Sequence, residues 1–143
     1  MKVINKKELR ELILDGITTE ELKEYDYSLI TDMSSIFFNS KSLRTIPYLD
    51  TSNVTNMKWM FCGCRSLISI PYLDTSNVTD MRSMFENCSS LNIVPELDTA
   101  QAIDVHSIFW NCHNLEHCFY DSRINYNKTN SVKLKQNYPE YFI

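Results

Sequence analysis

Glycine is nearly missing from this chain, with two residues among 143. Phosphate-cradling loops and dinucleotide fingerprints need glycine where backbone must approach a ligand closely, so both are excluded, and most nucleotide enzymes with them. An excess of positive charge is missing too. Fourteen Lys and Arg stand against eighteen Asp and Glu, a net charge of −4, which argues against the basic surface that nucleic-acid binding draws on. No long apolar run occurs. The opening MKVINKKELRELILDG is charged throughout, so it predicts neither a secretory signal nor a membrane span, and the expected location is the cytoplasm. Thiols stay reduced there, and an odd set of five cysteines predicts no disulfides.

What is present is a period. LDTSNVTNMKWMFCGCRSLISIPY begins at Leu49 and LDTSNVTDMRSMFENCSSLNIVPE at Leu73, 24 residues later. A looser copy, LDTAQAIDVHSIFWNCHNLEHCFY, starts at Leu97, and an earlier one, YDYSLITDMSSIFFNSKSLRTIPY, runs from Tyr25. Self-similarity at a fixed period of this size is the mark of stacked supersecondary units. Four units therefore span 25–48, 49–72, 73–96 and 97–120, flanked by an N-terminal helical cap over 1–24 and a C-terminal cap over 121–143. The chain length suits one such domain.

The apolar columns predict what each unit looks like. Met33, Met57, Met81 and Val105 are followed three and four residues on by Ile36, Met60, Met84, Ile108 and by Phe37, Phe61, Phe85, Phe109. That spacing fills one side of a helical turn, with Thr31, Thr55 and Thr79 placed as N-caps. Leu43, Leu67, Leu91, Leu115 and then Ile46, Ile70, Val94, Cys118 recur close to Pro47, Pro71 and Pro95. Proline lacks a donor and suits strand ends, so this stretch reads as one brief strand laddered in parallel with its neighbours. The expected fold is an α/β solenoid, leucine-rich-repeat-like, each unit carrying a short strand and a short helical turn. In the caps, Leu9, Leu12 and Ile13 share a helical face ending at Gly16, and Thr18 with Glu21 forms a capping box. Val132, Leu134, Tyr138, Tyr141, Phe142 and Ile143 are the apolar residues expected to cover the last unit.

The run LDTSNVTDMRSMFENCSSL, nearly repeated at LDTSNVTNMKWMFCGCRSL, resembles the BspA-type leucine-rich-repeat proteins, including the mycoplasma-type lipoprotein repeat of unknown function. The resemblance covers about two thirds of the chain. It implies a right-handed leucine-rich-repeat-like solenoid, a role in surface adhesion and protein binding, and no catalytic residues. Against that pattern, the residues of the sequence predict no signal peptide, lipidation cysteine or wall anchor. The expected function is a non-enzymatic protein–protein interaction module, an intracellular binder or inhibitor encoded by a phage or mobile element; a surface adhesion or structural repeat protein is the alternative, and a zinc-dependent function at Cys112–Cys118 a further one.

Cys112, His113, His117 and Cys118 form a CHxxxHC cluster whose donor types suit zinc. Register argues against it, because Cys112 shares a column with Cys64 and Cys88, and Cys118 with Ile46, Ile70 and Val94, which predicts packed side chains. Asp50, Asp74 and Asp98 would lie one above another; the expected resolution is that each carboxylate accepts backbone N–H groups in its D-T-S-N or equivalent turn, with Asn53 and Asn77 tying the next bend. No His–Asp pair stands apart from the register with a nucleophile, so no enzyme and no cofactor are expected.

Specificity in such a chain falls to the variable columns. Phe38 and Trp110 share one, Trp59 occupies another otherwise filled by serine, and Lys58, Arg82 and His106 form a partly basic row. Arg44 and Ile68 begin a row on the strand side, and Tyr48, Tyr72 and Tyr120 form another. Aromatic residues and arginine are enriched among binding hot spots. Phe38, Arg44, Lys58, Trp59, Ile68, Arg82 and Trp110 are therefore the binding candidates, and another protein is the expected partner, with no nucleic acid and no membrane span. Nothing in the sequence sets an oligomeric state.

Overall fold

A computed structural model of the chain describes residues 1–119, 121–126, 136 and 139. Tyr120 and the apolar residues of the expected C-terminal cap, Val132, Leu134, Tyr138, Tyr141, Phe142 and Ile143, lie outside the described residues. Among residues 1–119 and 121–126 the helices and strands all fall before residue 27: β1 (Lys2–Val3), α1 (Lys6–Leu14), α2 (Thr19–Leu22) and β2 (Tyr25–Asp26), with β1 and β2 paired in parallel, Lys2 opposite Tyr25.

The two helices form where the end signals place them. Asn5 caps α1, accepting from the Glu8 N–H while the Glu8 side chain accepts from the Asn5 N–H, and Thr18 with Glu21 does the same for α2. Gly16, at φ +86°, lets the chain leave α1 in the left-handed region. Leu9 is fully buried and Leu12 and Ile13 pack beside it.

Beyond residue 26 the expected α/β solenoid is not found. Among the described residues there are only the two helices and the two-stranded sheet named above; the first unit opens on β2, and otherwise no unit carries a strand or a helix. The reason lies in the backbone. Ser35 and Asn39, Trp59 and Gly63, Ser83 and Asn87, Ser107 and Asn111 all have φ between +53° and +78°, and a left-handed residue in each turn stops an α-helix from propagating. The chain runs instead as a ribbon of successive turns. Ile36, Phe38 and Ser40 donate to carbonyls three residues back within the segment, whereas Met33, Ser35, Phe37 and Asn39 donate to Asn56, Lys58, Met60 and Cys62 of the following one. Half of the donors that a helix would use internally therefore tie neighbours together. Thr31 and Thr55 cap nothing; their carbonyls accept from the N–H groups of Thr55 and Thr79.

The expected strands reduce to single bridges, Ser69 with Ile93 and Ile93 with His117. Few donors are left for a longer ladder: Ile68, Asn92 and Glu116 donate to Arg44, Ile68 and Asn92, and Val94 donates back to His117. Between the two sides, Ser52, Ser76 and Ala100 give their N–H groups to the carboxylates of Asp50, Asp74 and Asp98 at 2.8–3.1 Å, as the turn sequence predicts. Asn53 and Asn77 reach farther than their own bend, donating to the Ser28 and Ser52 carbonyls.

The core is a column of like side chains. Phe37, Phe61 and Phe85 stack with ring centroids 5.2 and 5.4 Å apart and planes within 5°, Phe109 follows at 5.7 Å, and Phe119 closes the column at 59°. Such spacings lie in the favourable range for offset rings. Met33, Met57, Met60, Met81 and Met84 fill the space alongside, none exposed.

Candidate functional site

Side chains that leave the turn ribbon outward carry most of the candidate residues. The first left-handed residue of each segment is Ser35, Trp59, Ser83 or Ser107; Ser83 is buried, whereas Trp59 (φ +58°) is 40% exposed. A bulky residue in this region is strained, since its Cβ crowds the backbone carbonyl. The Lys58 ammonium lies 3.9 Å from the centroid of the Trp59 ring, a cation–π contact that holds the two side chains as one unit. Phe38 is exposed one segment earlier and Trp110 is half-buried two segments later. Backbone bonds tie three of these residues to adjoining segments: the Lys58 carbonyl accepts from Ser35, the Arg82 carbonyl from Trp59, and the Trp110 carbonyl from Asn87.

Arg82 is not the free cation that the basic row suggests. Its guanidinium sits between Asp80 (3.6 Å) and Asp104 (3.7 Å), and its Nε is enclosed with no partner among the described residues. Those carboxylates also accept the backbone N–H groups of Arg82 and His106. Arg44 and Ile68 lie on the other side, exposed and joined to each other by a 2.9 Å bond from the Ile68 N–H to the Arg44 carbonyl. The seven candidates thus divide between two surfaces.

The cysteine and histidine cluster does not assemble. No three His, Cys, Asp or Glu side chains among the described residues come together as metal ligands. Cys112 is fully buried, its thiol 3.0 Å from the Phe85 carbonyl, as Cys64 and Cys88 are from Phe37 and Phe61. His113 and His117 point to solvent. Burial pushes the Cys64, Cys112 and Cys118 thiols up to about 12 and raises Cys88 as well. At neutral pH these groups are protonated and poor nucleophiles.

Two features escape a reading of local pattern. Arg10 of α1 donates from Nη1 to the Ile36 carbonyl (2.8 Å) and from Nη2 to the Phe38 carbonyl (2.9 Å). In later segments the corresponding carbonyls, Met60 and Cys62, accept from backbone N–H groups. The guanidinium fork stands in for a preceding segment, and only the lone arginine on the inward side of α1 hints at it. The second is an apolar groove of about 350 Å³ between the N-terminal elements and the first segment, walled by Tyr25, Pro47 and Tyr48. Tyr27 lies at its base, its hydroxyl donating to the Leu22 carbonyl. Burial raises that phenol to about 12.

Among protein families, the model described as Mycoplasma protein of unknown function, DUF285, matches residues 8–134. The chain belongs to this family. No BspA-type or leucine-rich-repeat family is shown, so of the resemblance read from the LDTSNV runs the DUF285 family is the part that stands. No curated protein and no solved structure matches this DUF285 chain. No described helix of the DUF285 protein is long and apolar enough to cross a membrane.

Proposed function

We propose that this DUF285 protein is a non-enzymatic protein-binding module that engages its partner through the ribbon face carrying Phe38, Lys58, Trp59 and Trp110. The observation that carries this reading is Trp59: a large aromatic side chain held in a left-handed conformation, part-exposed, at a position where the other segments have serine. Strain of this kind persists where the surroundings impose it and concentrates at ligand clamps and active sites. A rigid aromatic ring beside a cation is the hot-spot combination at interfaces. Buried, protonated thiols favour binding over nucleophilic catalysis. The partner acts inside the cell in the phage or mobile-element setting and outside it in the BspA-type adhesion setting; the same face serves either.

The test uses the full chain, tagged at the C-terminus, to capture partners from host extract, followed by titration of the identified partner in purified form. Trp59→Asn is expected to weaken that binding at least about tenfold, the scale of one hot-spot residue. The same variant should change folding stability by less than about 1 kcal/mol, since relief of the left-handed tryptophan offsets its lost packing. Unchanged affinity in the Trp59→Asn and Trp110→Ala variants would remove this face from consideration.

A further inference from the structure

The side of the molecule that carries Arg44 and Ile68 gathers exposed apolar side chains. Tyr48, Ile68, Tyr72 and Ile93 are 38–68% exposed and fall close together in the first three segments, a concentration that marks an interaction surface. The rungs of this face are fixed: Ile68, Asn92 and Glu116 donate N–H groups to the Arg44, Ile68 and Asn92 carbonyls, and single bridges join Ser69, Ile93 and His117. Charge changes sign along these rungs. Among the described residues, Arg44 stands in the first segment, and Lys41 and Arg65, three residues before Arg44 and Ile68, add to that basic half. Glu96 and Glu116 stand in the last two segments, where the bases are histidines, His113 and His117. Asp26, Asp50, Asp74 and Asp98 recur once in each segment beside the tyrosine column and favour neither end. At the edge of the first segment the Met1 ammonium acts on Asp26, Lys2 lies over the Tyr25 ring and Lys23 is held by Glu20, so no negative charge accumulates there.

We propose that this face joins two copies of the chain, related by a two-fold axis that lies in the face between the second and third segments and runs along the chain direction. That rotation sets the first segment against the partner's fourth and the second against the partner's third. Arg44 then meets the partner's Glu116 and Tyr72 meets the partner's Glu96, while Ile68 packs on the partner's Ile93. Each contact occurs twice, because an isologous interface presents the same patch from both sides. The change of sign along the face is what selects a second copy: turned half round, the row is its own electrostatic complement. Parallel stacking would instead bring Arg44 against the partner's basic first segment. Glu116 also has a contact within its own chain, to which the partner's Arg44 is added. Four segments at a rung spacing of about 4.8 Å make a small interface, so a weak dimer is expected, with Kd on the order of 10–100 μM.

Sedimentation equilibrium of the untagged full chain, from about 5 μM to about 500 μM, tests the assignment. A monomer–dimer equilibrium is expected. Arg44→Glu, at an exposed position, should weaken association at least about fivefold, since two like-charge pairs replace two ion pairs. Ile68→Asp should weaken it at least about tenfold by placing carboxylates at the centre of the interface. Arg44→Glu combined with Glu116→Arg rebuilds the pair in reverse and should recover most of the loss. Thermal melts matching the parent show that each variant is folded; one that melts early is replaced by Tyr72→Ala, expected to weaken association at least about threefold. A monomer throughout, open-ended assembly beyond the dimer, indifference to Arg44→Glu, a reversed pair as weak as Arg44→Glu alone, or loss of the dimer in Trp59→Asn instead each overturns it. Failure here leaves the Trp59 reading standing, because the variants of this face leave Phe38, Lys58, Trp59 and Trp110 in place.

Discussion

At Gly63 the backbone takes φ +78°, and a Cβ built there would stand 3.1 Å from Asn39 Cγ and nearer still to its amide oxygen. The other segments put asparagine at this place, Asn39, Asn87 and Asn111, with Asn111 donating to Asn87 at 2.9 Å. Asparagine is the residue that best tolerates the left-handed region after glycine, so this column is chosen for conformation. Gly63→Ala adds both a strained φ and a displaced Asn39 side chain. A loss of about 1–2 kcal/mol is expected in urea denaturation. A variant within about 0.5 kcal/mol of the parent, the range of an indifferent surface change, would show that the ribbon adapts at this point.

At the scale of elements, α1 closes the first segment with a side chain where later segments use backbone. Arg10 spans two carbonyls that are 2.8 and 2.9 Å from separate nitrogens, which a planar fork can do and a single ammonium cannot. Arg10→Ala leaves both carbonyls to water at a partly buried edge, and a loss of about 1–3 kcal/mol is expected. Arg10→Lys should recover less than half of it, read by thermal midpoint and by faster amide exchange over residues 33–40; full recovery by lysine would reduce the fork to a simple charge. The Thr18–Glu21 cap was legible, because it acts on a neighbour three residues away; the matching Asn5–Glu8 box at α1 went unread. The buried columns and the aspartate turns were legible too. The elements between them were misread for a physical reason: buried positions at i, i+3 and i+4 arise from a helix and equally from a ribbon with one left-handed residue in each turn. The discriminating signal was the Asn39, Gly63, Asn87, Asn111 column. The Arg10 contact, across 26 residues, and the clamp of Asp80 and Asp104 on Arg82 depend on which segments become neighbours, so local pattern carries little of either.

For the whole molecule, the thiols tie stability to pH. All five cysteines are free, and burial holds Cys64 and Cys112 at about 12, with Cys88 raised in the same direction. In an unfolded chain a thiol ionises near 8.5. Between about 8.5 and 12 the unfolded chain therefore gives up protons that the folded one keeps, and rising pH draws the equilibrium toward unfolding. Stability is expected to be flat with respect to these groups below about pH 8, and to fall above it by up to about 1.4 kcal/mol per pH unit for each buried thiol. Urea denaturation at a series of pH values from 7 to 10 reads the slope, and Cys88→Ala should make it shallower while leaving the neutral-pH fold intact. Native-state alkylation at pH 8 should likewise be slow and limited by opening of the Phe37–Phe109 column, against which these thiols donate to the Phe37, Phe61 and Phe85 carbonyls. Stability constant from pH 7 to 10, or prompt alkylation of the fully buried Cys64, Cys88 and Cys112, would mean that the column opens far more readily than its packing implies.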